Sequence, residues 1–202
     1  MSDASTLGRQ EIDALQEVAS IGCGQALAAL SRLAHRRVDM DVPEVWVGRG
    51  AGAIADFLGA MGTSLVAVAV RLEGLLEGQL VLVLPEADAG HLAASLGHPL
   101  APGGSWGAFS ESALMESGNV VGSAFVSAVA RLVGEKLLLS VPRLARGGGR
   151  ACLDELVDRE AGSLAIATRF SCPEAPGPLE GLILVMPHPQ RVASLLSRLH
   201  GR

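Results

Sequence analysis

From residue 110 to 133 the apolar positions repeat with a helical period. Leu114, Val121, Phe125, Ala128 and Leu132 gather on one side. Ser112, Glu116 and Asn119, spaced i, i+4, i+7, fall within a band of roughly 60° on roughly the opposite side. The pattern predicts a long helix with one face for a core and a short polar stripe on the other. A second long helix is predicted over residues 10–35, with Leu15, Gly22, Ala26 and Leu33 on one face and Asp13, Glu17 and Ser20 on the other.

Between and after these helices the period changes. Residues 38–47 and 136–144 carry alternating and β-branched positions and read as strands. The apolar runs 64–72 and 78–84 are joined by a short turn segment, a hairpin signal, and 163–172 and 179–186 repeat it. Pro85 and Pro187 then open closing helices, to about residues 96 and 199. Residues 48–62 are ambiguous, with a short helix near 54–58. Residues 146–150 read as a flexible, solvated Gly loop, and 98–107 as a linker by composition.

The order of elements is the same twice. Glu17 and Glu116 lie 99 residues apart, as do Pro43 and Pro142. Residues 10–97 form a first half and 108–200 a second. Each half reads as helix, three strands, helix, and alone would leave a sheet face or edge uncovered. The expected architecture is therefore α/β, one domain over residues 1–202. It is built by internal duplication about a pseudo-two-fold axis, with a mixed, mostly antiparallel sheet covered by long helices.

Composition narrows the class. The 202 residues are 49% apolar with four Phe, two Trp and no Tyr, so the core must be Leu, Val, Ala and Ile. The net charge is −5, and the basic residues are scattered, which argues against a nucleic-acid surface. No uninterrupted apolar run reaches the ~18 residues of a membrane span, and no hydrophobic signal segment follows the N-terminus. Cys23, Cys152 and Cys172 are odd in number and far apart, which argues against a disulfide framework or a CxxC metal site. A cytoplasmic setting with reduced thiols is expected. The five histidines have no ligand spacing, so no metal site is expected.

The candidate chemistry lies on the two polar stripes. Asn119 offers a carboxamide, a neutral donor and acceptor able to hold one water in a fixed orientation. Glu116, one turn earlier, offers a negative charge for a partner's Lys or Arg. An exposed helix face needs polar residues in any case, so spacing alone decides little. Repetition adds weight, because Asp13 and Glu17 restore the carboxylate half on the equivalent helix. Glycines 22, 24, 118 and 122, costly inside helices, predict close helix packing across the pseudo-two-fold. Pro43 and Pro142 predict edge strands.

These residues resemble the CheC/CheX-type phosphatases of chemotaxis, a family that includes the phosphatase part of FliY. The family pattern is an acidic residue or Ser, three residues, Glu, two residues, Asn, then 22 residues and Pro. Ser112, Glu116, Asn119 and Pro142 meet it in full; Asp13, Glu17, Ser20 and Pro43 meet it with Ser in place of Asn. The segment from Ser20 to Ala26 is similar to the family's Asn-Ile-Gly-Ala-Gly-Asn-Ala. The resemblance implies a CheC-like fold and removal of the phosphoryl group from the aspartyl phosphate of a CheY-type response regulator. In that scheme the Mg²⁺ belongs to the partner and this chain has no cofactor of its own. Asn119 would position the attacking water and Glu116 would dock the regulator, while the Glu17/Ser20 copy would be weak or inactive. Ser20, too short to hold water at the same distance, could bond back to its own helix. The alternative implied is a non-catalytic module that regulates a CheD-type receptor deamidase or serves the flagellar switch. A monomer is the expected form, with its own two halves paired.

Overall fold

A computed structural model describes residues 7–48, 50–101, 104–157, 164–173 and 179–200. The first half contains α1 (Arg9–Ala34), β1 (Asp39–Met40), β2 (Glu44–Val47), α2 (Gly50–Met61), β3 (Leu65–Glu73), β4 (Gly78–Pro85) and α3 (Glu86–Ser95). The second repeats this order with α4 (Ala108–Val133), β5 (Leu138–Leu139), β6 (Arg143–Gly147), α5 (Gly149–Leu156), β7 (Leu164–Cys172), β8 (Leu179–Pro187) and α6 (Pro189–His200).

The repeat extends to the ends of the long helices. α1 stops at His35 (φ 51°) and α4 at Gly134 (φ 73°), both left-handed, each donating its N–H back into the last turn. At the start of α1 the Glu11 carboxylate accepts the Gly8 N–H at 2.8 Å.

Strands of both halves share one sheet, in the order β1-β7-β8-β4-β3-β5, with β2 also on β7 and β6 also on β3. The pseudo-two-fold axis runs between β4 and β8, where Gly78 faces Pro187 and Val83 faces Leu182. Each half lends its first, broken strand to the other half's hairpin: β1 and β2 pair with β7, β5 and β6 with β3. Every strand pairing among the described residues is antiparallel, so the mostly antiparallel sheet is wholly so there.

Both sheet faces are covered, which is why the hairpin strands read as continuous apolar runs rather than alternating ones. Val66, Val68, Val70 and Leu72 point into the core beneath α1, α3, α4 and α6. Their neighbours Leu65, Ala67 and Ala69 point the other way, into a smaller core capped by Ile54 and Leu58 of α2 and Leu153 and Leu156 of α5. Among the described residues, α4 alone is long and apolar enough to cross a membrane, but more than half of its most apolar stretch is buried inside this fold.

Several local expectations are corrected. The strands expected at 38–47 and 136–144 are each broken in two, because Pro43 and Pro142 lie in gaps where the ladder stops. The ambiguous 48–62 stretch holds the three-turn helix α2, Gly50–Met61. The expected loop 146–150 is the end of β6 and the start of α5. There Gly149 is pressed so closely on α2 that a Cβ would lie 2.7 Å from Leu58. Arg146 is exposed, as expected, and also pairs with Glu111 at 3.1 Å and lies over the Trp106 ring. Helix α6 begins at Pro189, not Pro187. The glycines divide. Gly22 admits the Phe125 ring of α4 against α1, as expected, but Gly118 and Gly122 admit Val68 and Val70 of the sheet, and Gly24 meets nothing.

Candidate functional site

The second stripe lies beside the β5–β6 break. Gly118 is the close-approach point of α4 on the sheet: a Cβ there would lie 2.4 Å from Val68. With that face pressed on β3, Glu116 is left exposed and Asn119 half-buried. Across from them run Leu139, Ser140, Val141 and Pro142. Together with Ser112, Met115, Glu116 and Asn119 they line an open groove of about 450 Å³. Glu116 and Asn119 are ~4.5 Å apart along the axis. Neither makes a hydrogen bond or ion pair among the described residues, so both functional groups are free for a partner. The β5–β6 segment is held by Ser140, whose Oγ accepts the Arg71 N–H at 2.9 Å.

The first stripe is built at the matching place but finished differently. Asp13 and Glu17 are exposed and likewise have no partner among the described residues. The Ser20 hydroxyl donates to the Gln16 carbonyl at 2.8 Å, back into its own helix. The Gln16 carboxamide then donates to the Pro43 carbonyl at 2.7 Å, tying α1 to the β1–β2 break. Met115 stands at the equivalent position in the second half and has no N–H to form such a tie. Pro43 is accordingly buried, whereas Pro142 is only partly so.

The structure thus brings Ser112, Glu116, Asn119 and Pro142 around one groove. Asp13, Glu17, Ser20 and Pro43 stand at its counterpart, where a side-chain bridge spans the two walls. Sequence reasoning missed Gln16, Met115, Leu139 and Val141. The 99-residue offset that matched the two glutamates would have set Gln16 against Met115 as a mismatch worth following.

Other chemistry is sparse. Burial pushes the Cys23 thiol up to about 11, against a partly offsetting hydrogen bond from Thr168, and burial also raises Cys152. All three cysteines are buried, which suits packing rather than reactivity. Among the described residues no cluster of three or more His, Cys, Asp or Glu could hold a metal ion. A larger depression of about 640 Å³ lies by the β3–β4 turn, lined by Arg71, Glu73, Glu77, Glu135 and Arg191. Its charges are largely engaged, Arg191 with Glu77 at 2.8 Å and Glu135 with Arg198 at 2.6 Å. The smaller groove, with unengaged groups, is the better candidate.

The chain is similar to several known proteins. Residues 11–47, which include Asp13, Glu17, Ser20 and Pro43, match the sequence model of the CheC-like family. The CheY-P phosphatase CheC of Bacillus subtilis (strain 168) is 30% identical over 148 residues, 72% of this chain and 70% of that protein. Among solved structures, Thermotoga maritima FliY superposes with a TM-score of 0.72 at 17% identity, over 97% of this chain and 98% of that one. A chain of the CheX–CheY–BeF3–Mg²⁺ complex from Borrelia burgdorferi does so with a TM-score of 0.53 at 17% identity, over 87% and 99%. The structural likenesses establish the shared fold, and on the extent and identity of the sequence match the chain belongs to the CheC-like family.

Proposed function

We propose that this protein is a phosphatase that hydrolyses the aspartyl phosphate of a CheY-type response regulator in chemotaxis, using the α4 face. The carrying observation is the unengaged pair Glu116 and Asn119 on the wall of an open groove. The family supports the reaction, since the CheC relative is a CheY-P phosphatase and CheX, in the same fold, occurs in complex with CheY.

In this reading the regulator presents its phospho-aspartate and its own Mg²⁺, and this chain supplies no nucleophile. Glu116 forms a charge-assisted pair with a cation on the regulator and sets the register of α4. The Asn119 carboxamide accepts a hydrogen bond from a water and orients its lone pair at phosphorus, in line with the aspartyl oxygen. The water oxygen bonds to phosphorus as the bond to the aspartyl oxygen breaks. The leaving carboxylate is the regenerated aspartate, and the water protons pass to inorganic phosphate and solvent. Positioning and electrostatics carry such transfers, so a neutral carboxamide suffices.

The first face keeps its docking carboxylates without the carboxamide. It fits binding without catalysis, the form that regulation of a CheD-type deamidase or a switch role would take. The acting unit is a monomer in the cytoplasm whose halves pair with each other. The test is the decay of a phosphorylated CheY-type regulator with and without this protein, and with Asn119→Ala. Acceleration by the native chain and its loss by about 100-fold in the variant are expected. An unchanged acceleration in Asn119→Ala would sink the mechanism, and no acceleration by the native chain would sink the phosphatase reading.

A further inference from the structure

Large apolar side chains left exposed among the described residues are Ile21, Met40 and Val42, and Phe109, Leu138 and Val141. They form two sets that flank the two stripes. Val42 and Val141 are 99 residues apart, next to the prolines, and are 73% and 80% exposed. Phe109 has no such twin: Gln10 occupies its place in α1. Phe109 is 78% exposed in the first turn of α4. It lies within about 20° of Glu116 around the helix and about 10 Å from it along the axis.

We propose that Phe109 is the apolar anchor by which the second face selects its regulator, with Val141 closing the opposite rim. This rests on the phosphatase reading above and names a specificity residue for it. The occupant is the phosphorylated regulator because the anchor is continuous with the face that must meet it. A standard interface covers about 800 Å² per partner, a patch reaching roughly 16 Å from its centre. A partner centred on Glu116 therefore covers Phe109. Aromatic anchors dominate such patches, and their worth rises when they are held in place beforehand. The His98 ring stacks on Phe109 at 6.2 Å between centroids and 13° between planes, which holds one side of the ring and leaves the other outward. The polar surroundings point the same way. The first face carries Asp41 and Glu44 where the second has Ser140 and Arg143, so the second face relies less on carboxylates and more on apolar contact.

The experiment is steady-state dephosphorylation of the source organism's own CheY-type regulator, phosphorylated with acetyl phosphate. It is run with the full chain, Phe109→Gln and Phe109→Leu. Circular dichroism and light scattering are recorded on each. Phe109→Gln should raise KM about tenfold with kcat nearly unchanged. The factor should be the same at low and high salt, since an apolar contact is not screened. Phe109→Leu should recover most of the affinity. A native KM in a folded Phe109→Gln variant overturns the anchor while leaving the phosphatase reading intact. Loss of a dimer on substitution, with KM unmoved, would assign the patch to a second copy of this chain and overturn it too. A fall in kcat alone would mean that Phe109 acts on the chemistry rather than on selection. If the native chain does not accelerate decay, the functional reading fails first, and the anchor is overturned when the beryllofluoride-loaded regulator binds Phe109→Gln and the native chain equally.

Discussion

The two helix faces stand at matching places in the two halves and differ at a few side chains. On α4 a carboxamide stands free over a groove, beside a methionine that leaves the groove unspanned. On α1 a hydroxyl is spent on its own helix, and a glutamine reaches across to the Pro43 carbonyl. Both keep an exposed glutamate. An exposed carboxylate is therefore the shared feature, and an unengaged carboxamide beside an open groove is what distinguishes the second face. In the proposed mechanism the first face therefore lacks both the water-holding carboxamide and the open space beside it, which Gln16 bridges.

The largest separation between the faces is expected at the matched polar positions. Asn119→Ala should remove about 100-fold of the acceleration, while Ser20→Ala should leave the regulator's decay curve where it was. A large loss from Ser20→Ala would mean the first face is catalytic after all. Next come the glutamates. A charge-assisted contact is worth ~1.5–3 kcal/mol, so Glu116→Ala should raise KM for the phosphorylated regulator by roughly tenfold or more. Glu17→Ala should matter far less, and equal losses would refute a single working face.

A smaller effect should come from rebuilding the first face. In an Asn119→Ala background, Ser20→Asn alone should restore a little activity. Ser20→Asn with Gln16→Met should restore more, because the second change releases the tie to Pro43. Equal recovery with and without Gln16→Met would show that the bridge is no obstacle.

The smallest effect concerns how the second face is anchored. The Glu86 carboxylate accepts hydrogen bonds from the Ser64 hydroxyl and from the Trp106 indole at 2.8 Å, and Arg146 lies nearby. These hold its pKa below the usual carboxylate value. The resulting stability is present above the unfolded pKa, ~4.3, and is lost as pH falls through the lowered folded value. Trp106 leads into α4, so acid should loosen this junction. Urea titrations across pH 3–6 should show a shallower acid limb for Glu86→Gln than for the native chain, and parallel limbs would remove Glu86 from the account.

Much of this was legible from residue pattern, and the parts that were not share a cause. Helical period placed α1 and α4 to within a residue or two, and the hairpins followed from two apolar runs around a turn. The stripe Ser112, Glu116, Asn119 was visible because residues one turn apart are neighbours in any helix. The start of the short helix at 149–156 was read as part of a loop at 146–150 because three glycines argue for flexibility locally, while close packing on α2 needs that lack of side chain. Phe109 drew no notice because the pattern began the helix at residue 110, which left Phe109 outside the stripe it extends.

What the amino-acid order determined by itself is therefore local and repetitive: two long amphipathic helices, two hairpins, and a duplicated motif at a constant offset. Only the tertiary structure decided which strands meet. β1 and β2 lie more than a hundred residues from β7, and no period within a window encodes a partner so distant. That exchange sets each proline-containing break beside a helix stripe, turning four spaced residues into the wall of a groove. Whether the groove stays open then rests on one position. A carboxamide at residue 16 finds a carbonyl within reach, and a thioether at residue 115 has no proton to give.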